Sequence, residues 1–375
     1  MISVLSVFPP FRGGIANFSD YLYKNLEKHV SVTAFNFSYL YPPVLFPGKS
    51  QFSEHSQDNY ADPILHSCNP LNWKKAADQI LESKPDDVVI CYWHPFFAPA
   101  FLKVIHSIRK KRPETRIHIL AHNVVPHERF PFGDTLSKKL FNSADSLFVL
   151  SKKSYSEAVD LDISTDIKLL FHPVYEQELP DKPANILKKE YGLRQDEHVF
   201  LFFGLVRHYK GLDLFIEALN DIDLVKHKIR PLIVGEFYTD RELILSKIKD
   251  EHRKYYIIKD EFVSEEEMAR VFTISDALVM PYRSASQSGI LANAINFYLP
   301  TIVTNLQGLT EHISDGESAL IVEENDTQDL KKAILELSHP EVRGRIKQSL
   351  PTLKQSLSWD TFTKIFLEEI SKENL

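Results

Sequence analysis

Phe203-Gly204-Leu205-Val206-Arg207-His208-Tyr209-Lys210-Gly211 separates an apolar run from an apolar-periodic segment. The order predicts a strand, a loop and a helix. Backbone N–H groups and the positive end of a helix dipole face such a loop, and Arg207 and Lys210 add two cations to it. The stretch therefore predicts an anion site.

A second stretch of the same kind is Tyr282-Arg283-Ser284-Ala285-Ser286-Gln287-Ser288-Gly289. Its hydroxyls, the Gln287 amide and the N–H groups of the following helix suit sugar hydroxyls and phosphate oxygens. Taken alone, it fits a helix N-cap with a polar rim equally well. Together the two loops predict a site for the diphosphate of a nucleotide sugar, with Arg207 as a two-pronged donor and Lys210 as a point charge. We expect donor contacts from Ser286, Gln287, Ser288 and Gly289.

The composition is that of an ordinary globular protein of 375 residues, with 43% hydrophobic and 25% charged residues. A net charge of −7 argues against a general nucleic-acid binder, which needs a basic surface. The two cysteines, Cys68 and Cys91, predict neither a disulfide framework nor a cysteine-rich zinc site, and they fit a reducing cytoplasm. We find no apolar run long enough for a membrane span and no signal peptide, so a cytoplasmic protein is expected.

Short apolar runs alternate with helical patterns along the chain, which predicts parallel sheets in an α/β fold. In the first half, strands are expected at residues 2–8, 88–92, 117–121 and 146–150. In the second half, they are expected at 198–203, 230–234, 255–258, 277–280, 301–303 and 319–322. A proline-rich linker at 172–184 separates the two sets. The prediction is an N-terminal Rossmann-like domain at 1–172, a C-terminal one at 173–357, and a final helix at 358–375. The two doubly wound domains are expected to face each other across a cleft.

The first half carries its own candidate residues. Gly13-Gly14 follows the first predicted strand, and such a turn allows close backbone approach to a ligand, although a flexible turn is the alternative. His94 and His122-Asn123 follow two further predicted strands, with His127 just beyond. We place His94, Asn123 and His127 on the acceptor side of the expected cleft.

A metal site is not expected. His122 and His127 lack helical ligand spacing, and Pro126 lies between them. Asp160-Leu161-Asp162 and Asp221-Ile222-Asp223 are interpreted as surface acids, because neither closes a long apolar strand. The basic run at 109–112 is either a solvated helix end or a contact for anionic lipid.

Taken together, these segments resemble the retaining glycosyltransferases of family 4, which have a GT-B fold. The resemblance covers nearly the whole chain. Gly13-Gly14 is similar to the family's glycine loop beside the donor phosphates, and Gly204 to Gly211 is similar to its diphosphate clamp. Residues 281–289, with Pro300 to Thr304 and Gly308 to Gly316, resemble the donor-binding stretch. The segments around His94 and His122 resemble those of a bacterial subgroup, and the helix that starts near Trp359 resembles the one that crosses back to the N-terminal domain.

Two departures from that family stand out. Its two donor-binding glutamates correspond to Ser286 and Ala294 here, and neither side chain can be an anion. Gln287, Asn293 or Glu311 are the candidates to replace them. The clamp arginine, which follows the glycine directly in the family, is offset here to Arg207.

The resemblance implies a metal-independent glycosyltransferase, without a cofactor, that moves a sugar from a nucleoside diphosphate to a hydroxyl acceptor with retention of configuration. It places His122, Arg207 and Lys210 at the reacting centre, and Phe262 and Val263 at the nucleobase. A lipid-linked or surface-polysaccharide acceptor and a peripheral contact with the inner face of the cell membrane are implied with it. Two alternatives stay open: a sugar-nucleotide epimerase with this fold, and a catalytically silent protein that binds nucleotide sugar.

Overall fold

The computed structural model describes residues 1–42, 50–52, 60–125, 130–285 and 288–372. The chain forms two compact units. One comprises Met1–His172 together with Trp359–Leu375, and the other is Pro173–Ser358. We call them the N-terminal domain and the C-terminal domain. The boundaries expected from the sequence lie after residues 172 and 357.

The N-terminal domain is built on a sheet of seven parallel strands within the described part of the chain. The spatial order is β3-β2-β1-β4-β5-β6-β7. The strands are β1 (Ile2–Leu5), β2 (Val32–Tyr39), β3 (Asp62–His66), β4 (Asp87–Tyr92), β5 (Arg116–Ala121), β6 (Ser146–Val149) and β7 (Asp166–Leu169).

Helices connect these strands and cover the sheet. They are α1 (Gly14–Leu26), α2 (Pro70–Glu82), α3 (Ala98–Lys111), α4 (Gly133–Phe141) and α5 (Lys152–Asp160). Every residue of the central strand β4 is buried, as expected for a parallel strand covered on both faces. Helix α1 buries Phe18 and Leu22 completely.

Over its described residues the C-terminal domain repeats the plan, with six parallel strands in the order β10-β9-β8-β11-β12-β13. The strands are β8 (His198–Phe203), β9 (Ile229–Val234), β10 (Ile257–Lys259), β11 (Ala277–Met280), β12 (Thr301–Thr304) and β13 (Leu320–Val322). The order reverses between β8 and β11, where Leu278 of β11 pairs with Leu201 of β8. Ligands of such sheets bind at this kind of reversal, beyond the carboxyl ends of the strands.

The helices of this domain are α6 (Ala184–Glu190), α7 (Leu212–Asn220), α8 (Arg241–Leu245), α9 (Glu265–Ile274), α10 (Gly289–Asn296), α11 (Gln307–Thr310), α12 (Thr327–Leu337) and α13 (Pro340–Ser356). Two apolar cores, one on each face of the sheet, contain the side chains of β8 alternately: Phe200 and Phe202 in one, Val199 and Leu201 in the other. This is the two-sided burial that the continuous apolar run of β8 predicts.

The last helix, α14 (Trp359–Lys372), belongs to the N-terminal domain. Its Trp359 is fully buried, with the ring stacked on Tyr21 at 5.8 Å between centroids and tilted against Phe18 at 5.0 Å. Both partners are on α1. The aromatic contacts explain why a helix from the end of the chain belongs to the first domain rather than the second.

The structure confirms the α/β fold of two Rossmann-like domains and corrects several bounds. Strand β1 ends at Leu5 instead of residue 8. At Phe8 the side chain of Asn36 replaces a neighbouring strand, because its Oδ1 accepts from Phe8 N at 3.0 Å and its Nδ2 donates to Phe8 O at 3.1 Å. Strand β10 starts two residues later than predicted, because Arg253–Tyr255 forms a 3-10 turn.

Several of the surface charges singled out in the sequence form ion pairs. In the basic run at 109–112, Arg109 pairs with Asp145 at 2.9 Å and Arg112 with Glu114 at 2.9 Å. Of the two Asp-x-Asp sequences, Asp162 pairs with Lys138 at 3.0 Å. Within the described ranges no cluster of three metal-ligating side chains occurs, and no helix is long and apolar enough to cross a membrane.

Candidate functional site

Gly204 brings three parts of the C-terminal domain together at the carboxyl end of β8. Its φ of +100° is one that side chains rarely adopt. A Cβ at this position would lie 2.6 Å from Cδ1 of Ile290, in the first turn of α10, and 2.8 Å from Nζ of Lys210. The positive φ therefore favours glycine here, and the lysine ammonium and the start of α10 occupy the space beside its Cα.

Lys210 is a buried cation, 7% exposed. Burial, and then the charge of Arg207, lower the pKa of its ammonium to about 7. No carboxylate of a described residue offsets this charge, and the ring of Tyr282 lies 5.5 Å from Nζ. A buried ammonium without a counter-ion beside a helix N-terminus is suited to an anionic ligand.

Arg207 precedes Lys210 by three residues, and its carbonyl accepts from Lys210 N at 2.9 Å. The guanidinium lies over the ring of Tyr238, 5.2 Å from its centroid. Arg207 comes after β8 and Tyr238 after β9, and backbone hydrogen bonds join the segments that follow these two strands. Val206 N donates to Glu236 O and Tyr238 N donates to Val206 O, each at 2.9 Å. The two predicted cations thus lie on one short segment, close enough for one to lower the pKa of the other.

The first turn of α10 supplies the second predicted part of the site. Ser288 is its N-cap residue, with Oγ accepting from Leu291 N at 3.4 Å, and Gly289 is the first helical residue. Ser286 and Gln287 lie outside the described residues. Ala294, at the position of one family glutamate, is fully buried in the apolar core.

The remaining donor candidates follow other strands of this sheet. Phe262 and Val263 come after β10, and the Phe262 side chain is 43% exposed. Glu311 caps the carboxyl end of α11, after β12, and its side chain is only 7% exposed. Asn293 is buried, with Nδ2 3.4 Å from Sδ of Met268 on α9.

The sequence did not indicate that Arg283 and Asp213 form an ion pair at this site. The Arg283 guanidinium binds both carboxylate oxygens of Asp213, Nη1 to Oδ1 at 2.9 Å and Nη2 to Oδ2 at 2.8 Å. The pair joins the loop after β11 to the first turn of α7. Asp213, an acidic residue just after Lys210-Gly211, was a feature that could have indicated an ion pair. Its partner, Arg283, is 70 positions away in the sequence.

In the N-terminal domain, Gly13 and Gly14 open α1. Gly13 is the N-cap residue with a φ of +115°, and among the described residues, apart from chain neighbours and the backbone of α1, no heavy atom lies within 4 Å of a Cβ built on either glycine. The predicted turn thus lies at the start of a helix, where the first backbone N–H groups have no partner within the helix.

His122 follows β5 and is 1% exposed. Its ring meets Phe18 of α1 edge-on at 4.6 Å, and its backbone N–H donates to Tyr92 O at 2.8 Å. Burial, with a smaller contribution from His172, lowers the pKa of the imidazole to about 3. The ring is neutral at pH 7, and Nε2 has no hydrogen-bond partner among the described residues.

The buried histidine makes stability depend on pH. The pKa of the imidazole is about 3 in the folded chain, below the ordinary histidine pKa of 6.5, so the unfolded state binds the extra proton first as pH falls. The stabilisation is complete above pH 6.5 and is lost as pH falls toward 3; between pH 6.5 and pH 5 the loss is about 2 kcal/mol. We expect chemical denaturation at pH 7 and pH 5 to show a smaller difference in His122→Gln than in the wild type. Equal differences in the two proteins would contradict the neutral buried imidazole.

The acceptor-side residues of the sequence prediction also lie in the N-terminal domain. His94 caps the 3-10 turn Pro95–Phe97, with Nδ1 accepting from Phe96 N at 3.2 Å, and its ring lies 5.1 Å from that of Phe130. Asn123 is half-buried directly after His122. His127 lies outside the described residues.

One protein family matches most of the C-terminal domain. Residues 197–339 match the family described as glycosyl transferases group 1. This range runs from just before β8 through α12 and contains Gly204, Arg207, Lys210 and Arg283.

Curated relatives match over part of their length. An uncharacterised glycosyltransferase of Methanocaldococcus jannaschii is 29% identical over 47% of this chain and 49% of that protein. An alpha-monoglucosyldiacylglycerol synthase of Acholeplasma laidlawii is 20% identical over 65% of each chain. A D-inositol 3-phosphate glycosyltransferase of Paenarthrobacter aurescens is 27% identical over 47% of this chain and 44% of that protein. The match with the first and third of these proteins spans about half of their length.

Solved structures match nearly the whole chain. Anabaena HepE in complex with UDP and glucose has a TM-score of 0.74, 12% identity, and coverage of 99% of this chain and 100% of that one. Sucrose-phosphate synthase of Thermosynechococcus elongatus has a TM-score of 0.73, 15% identity, and coverage of 99% and 98%. The fold is therefore the GT-B fold, and the C-terminal domain is a glycosyltransferase group 1 domain.

Proposed function

We propose that the chain is a glycosyltransferase that moves a sugar from a nucleoside diphosphate sugar to a hydroxyl acceptor with retention of configuration. In this reaction the bond between the sugar C1 and the diphosphate oxygen breaks. A bond from the acceptor oxygen to C1 forms on the same face, and the acceptor proton is taken up by the departing diphosphate or by solvent.

The observation that carries the proposal is the buried ammonium of Lys210 at the end of β8. It lies beside the first turn of α10 and has no counter-ion among the described residues. A diphosphate would supply the missing negative charge, and the cation would stabilise the charge that develops on the leaving oxygen. In this assignment Arg207 and Lys210 do the work that a metal ion does in other sugar-transfer enzymes, and no cofactor is needed.

Other residues receive roles that the same assignment implies. The first turn of α10, with residues 286–289, orients the donor sugar and phosphates, and Phe262 and Val263 lie at the nucleobase. Glu311, with its nearly buried carboxylate, is our candidate for the ribose hydroxyls. Gly13 and Gly14 give the donor phosphates a close approach to the start of α1.

His122 acts as a neutral group in this proposal. Its lowered pKa means that the imidazole is neutral at pH 7, and we assign it a hydrogen bond, not a positive charge, near the reacting sugar. His94, Asn123 and His127 are assigned to the acceptor. The acceptor class we propose is a lipid-linked or surface-polysaccharide glycan at the cytoplasmic face of the membrane. The Acholeplasma laidlawii relative is named an alpha-monoglucosyldiacylglycerol synthase, and that name supports a lipid acceptor.

A thermal-shift screen tests the donor. A ligand present at 100 times its dissociation constant adds about 2.7 kcal/mol to the free energy of unfolding. For a chain of 375 residues that corresponds to a rise in Tm of about 3–4 °C. We expect nucleoside diphosphates and their sugars to raise Tm, and the matching nucleosides, which lack the phosphates, to raise it much less. Equal shifts with nucleoside and nucleoside diphosphate would contradict a site built around Lys210.

One observation favours a second candidate function, a protein that binds nucleotide sugar without transferring it. Ala294 is fully buried at the position of a family glutamate, so no carboxylate can be supplied there. Product analysis separates the two candidates. Transfer of sugar to an acceptor, with the anomeric configuration of the product read by NMR, supports the transferase, and tight donor binding without any product supports the binding protein.

A further inference from the structure

Two loops of the C-terminal domain are joined by the side chain of Arg283. Besides the two bonds to Asp213, its Nη1 donates to His208 O at 2.9 Å and its Nε to Asn325 Oδ1 at 3.1 Å. The guanidinium thus binds the segment at both sides of Lys210: the carbonyl of His208 before it and the carboxylate of Asp213 after it.

The backbones of the same two loops are in direct contact. Arg283 N donates to Tyr209 O at 2.7 Å. Gly211 is so close to the loop after β11 that an added Cβ would lie 2.0 Å from the carbonyl oxygen of Pro281. The second loop therefore meets the backbone on both sides of Lys210, at Tyr209 and at Gly211.

This arrangement divides the cations of the site into two kinds. The positive charge of Arg283 is matched by Asp213, with a bidentate geometry that fixes direction as well as distance. The positive charge of Lys210 is not matched by a carboxylate among the described residues. Because no carboxylate of a described residue fixes the Lys210 ammonium, its position depends on the chain segment that carries it.

We infer that Arg283 is a positioning residue: its bidentate bond to Asp213 holds the segment 207–213 so that Lys210 meets the diphosphate. This inference rests on the proposed function. Arg283 acts through Lys210 and does not touch the ligand.

A double-mutant cycle tests the inference, with binding of inorganic pyrophosphate at low salt measured by calorimetry. Pyrophosphate needs no choice of nucleobase. We expect Arg283→Ala to weaken binding about tenfold in the wild-type background and to have no further effect in Lys210→Ala. Arg283→Lys keeps the charge but loses the bidentate geometry, so it should be impaired like the alanine variant.

The control is Arg253→Ala, which removes an exposed arginine paired with Asp250 at 3.0 Å three residues away. It should bind like the wild type. Equal losses from Arg283→Ala in both backgrounds, or normal binding by Arg283→Ala, would overturn the inference and leave the proposed function intact. If the wild type does not bind pyrophosphate, the proposed function fails, and the inference fails with it.

Discussion

Replacing Lys210 with alanine is expected to reduce sugar transfer about 100- to 1,000-fold, as removal of one preorganised charge-stabilising donor does in other enzymes. The physical reason is that the Lys210 ammonium is buried at the end of β8, beside the start of α10, where it would stabilise the charge on the leaving diphosphate. No other described cation with the same burial borders Gly204. The measurement is kcat/KM with the donor found by thermal shift, together with the dissociation constant of the nucleoside diphosphate.

Substitution of Lys210 is expected to change activity and stability in opposite directions. Below pH 7 the folded chain keeps a buried charge, and the cost of that charge fades as pH rises from about 7 toward the ordinary lysine pKa of 10.5. Lys210→Met should therefore raise the free energy of unfolding at pH 6, by about 1–4 kcal/mol, while activity falls. If Lys210 served folding alone, Lys210→Met would lower the free energy of unfolding.

Lys226→Ala is the matched control, because Lys226 is an exposed lysine of the same domain that precedes β9. It should leave both kcat/KM and stability unchanged. Loss of activity in Lys226→Ala, or normal activity in Lys210→Ala, would contradict the assignment of Lys210 to the diphosphate.

The fold was predictable where the sequence is uniformly apolar. Strands β8 and β11 match their predicted bounds, because both are buried on two faces and read as unbroken apolar runs. The strands that were not predicted are β2, β3 and β7. Strand β7 is exposed or half-buried throughout, and β3 contains Pro63, so neither gives the composition of a buried strand.

The site was predictable only within local segments. Gly204, Arg207 and Lys210 lie on one strand-loop-helix turn, and their order alone suggests an anion site. The partnership of Arg283 with Asp213 joins two such turns, and nothing in either segment indicates it. The burial of His122 is also hidden from the sequence, because it depends on Phe18 from a different element, and only that burial shows that the imidazole is neutral.

Gly211→Ala is expected to disrupt folding and ligand binding together. Gly211 has a φ of +67°, and an added Cβ would lie 2.0 Å from the Pro281 carbonyl oxygen, a backbone atom that no rotamer change can move. The left-handed conformation costs about 1–2 kcal/mol for alanine. Separating the two loops costs about 1–3 kcal/mol more. The measurement is the free energy of unfolding, with pyrophosphate binding measured under conditions where the variant is folded.

Gly192→Ala isolates the clash from the conformational strain. Gly192 has nearly the same φ, +68°, but no other atom lies within 4 Å of its added Cβ. The Gly192→Ala variant should lose only the free energy of unfolding that the left-handed conformation costs alanine, and it should bind pyrophosphate like the wild type. The excess loss in Gly211→Ala then measures the contact between the Lys210 segment and the loop after β11. If the two variants lost equal stability and bound equally well, that contact would be unnecessary, and Lys210 would have to be positioned by other parts of the domain.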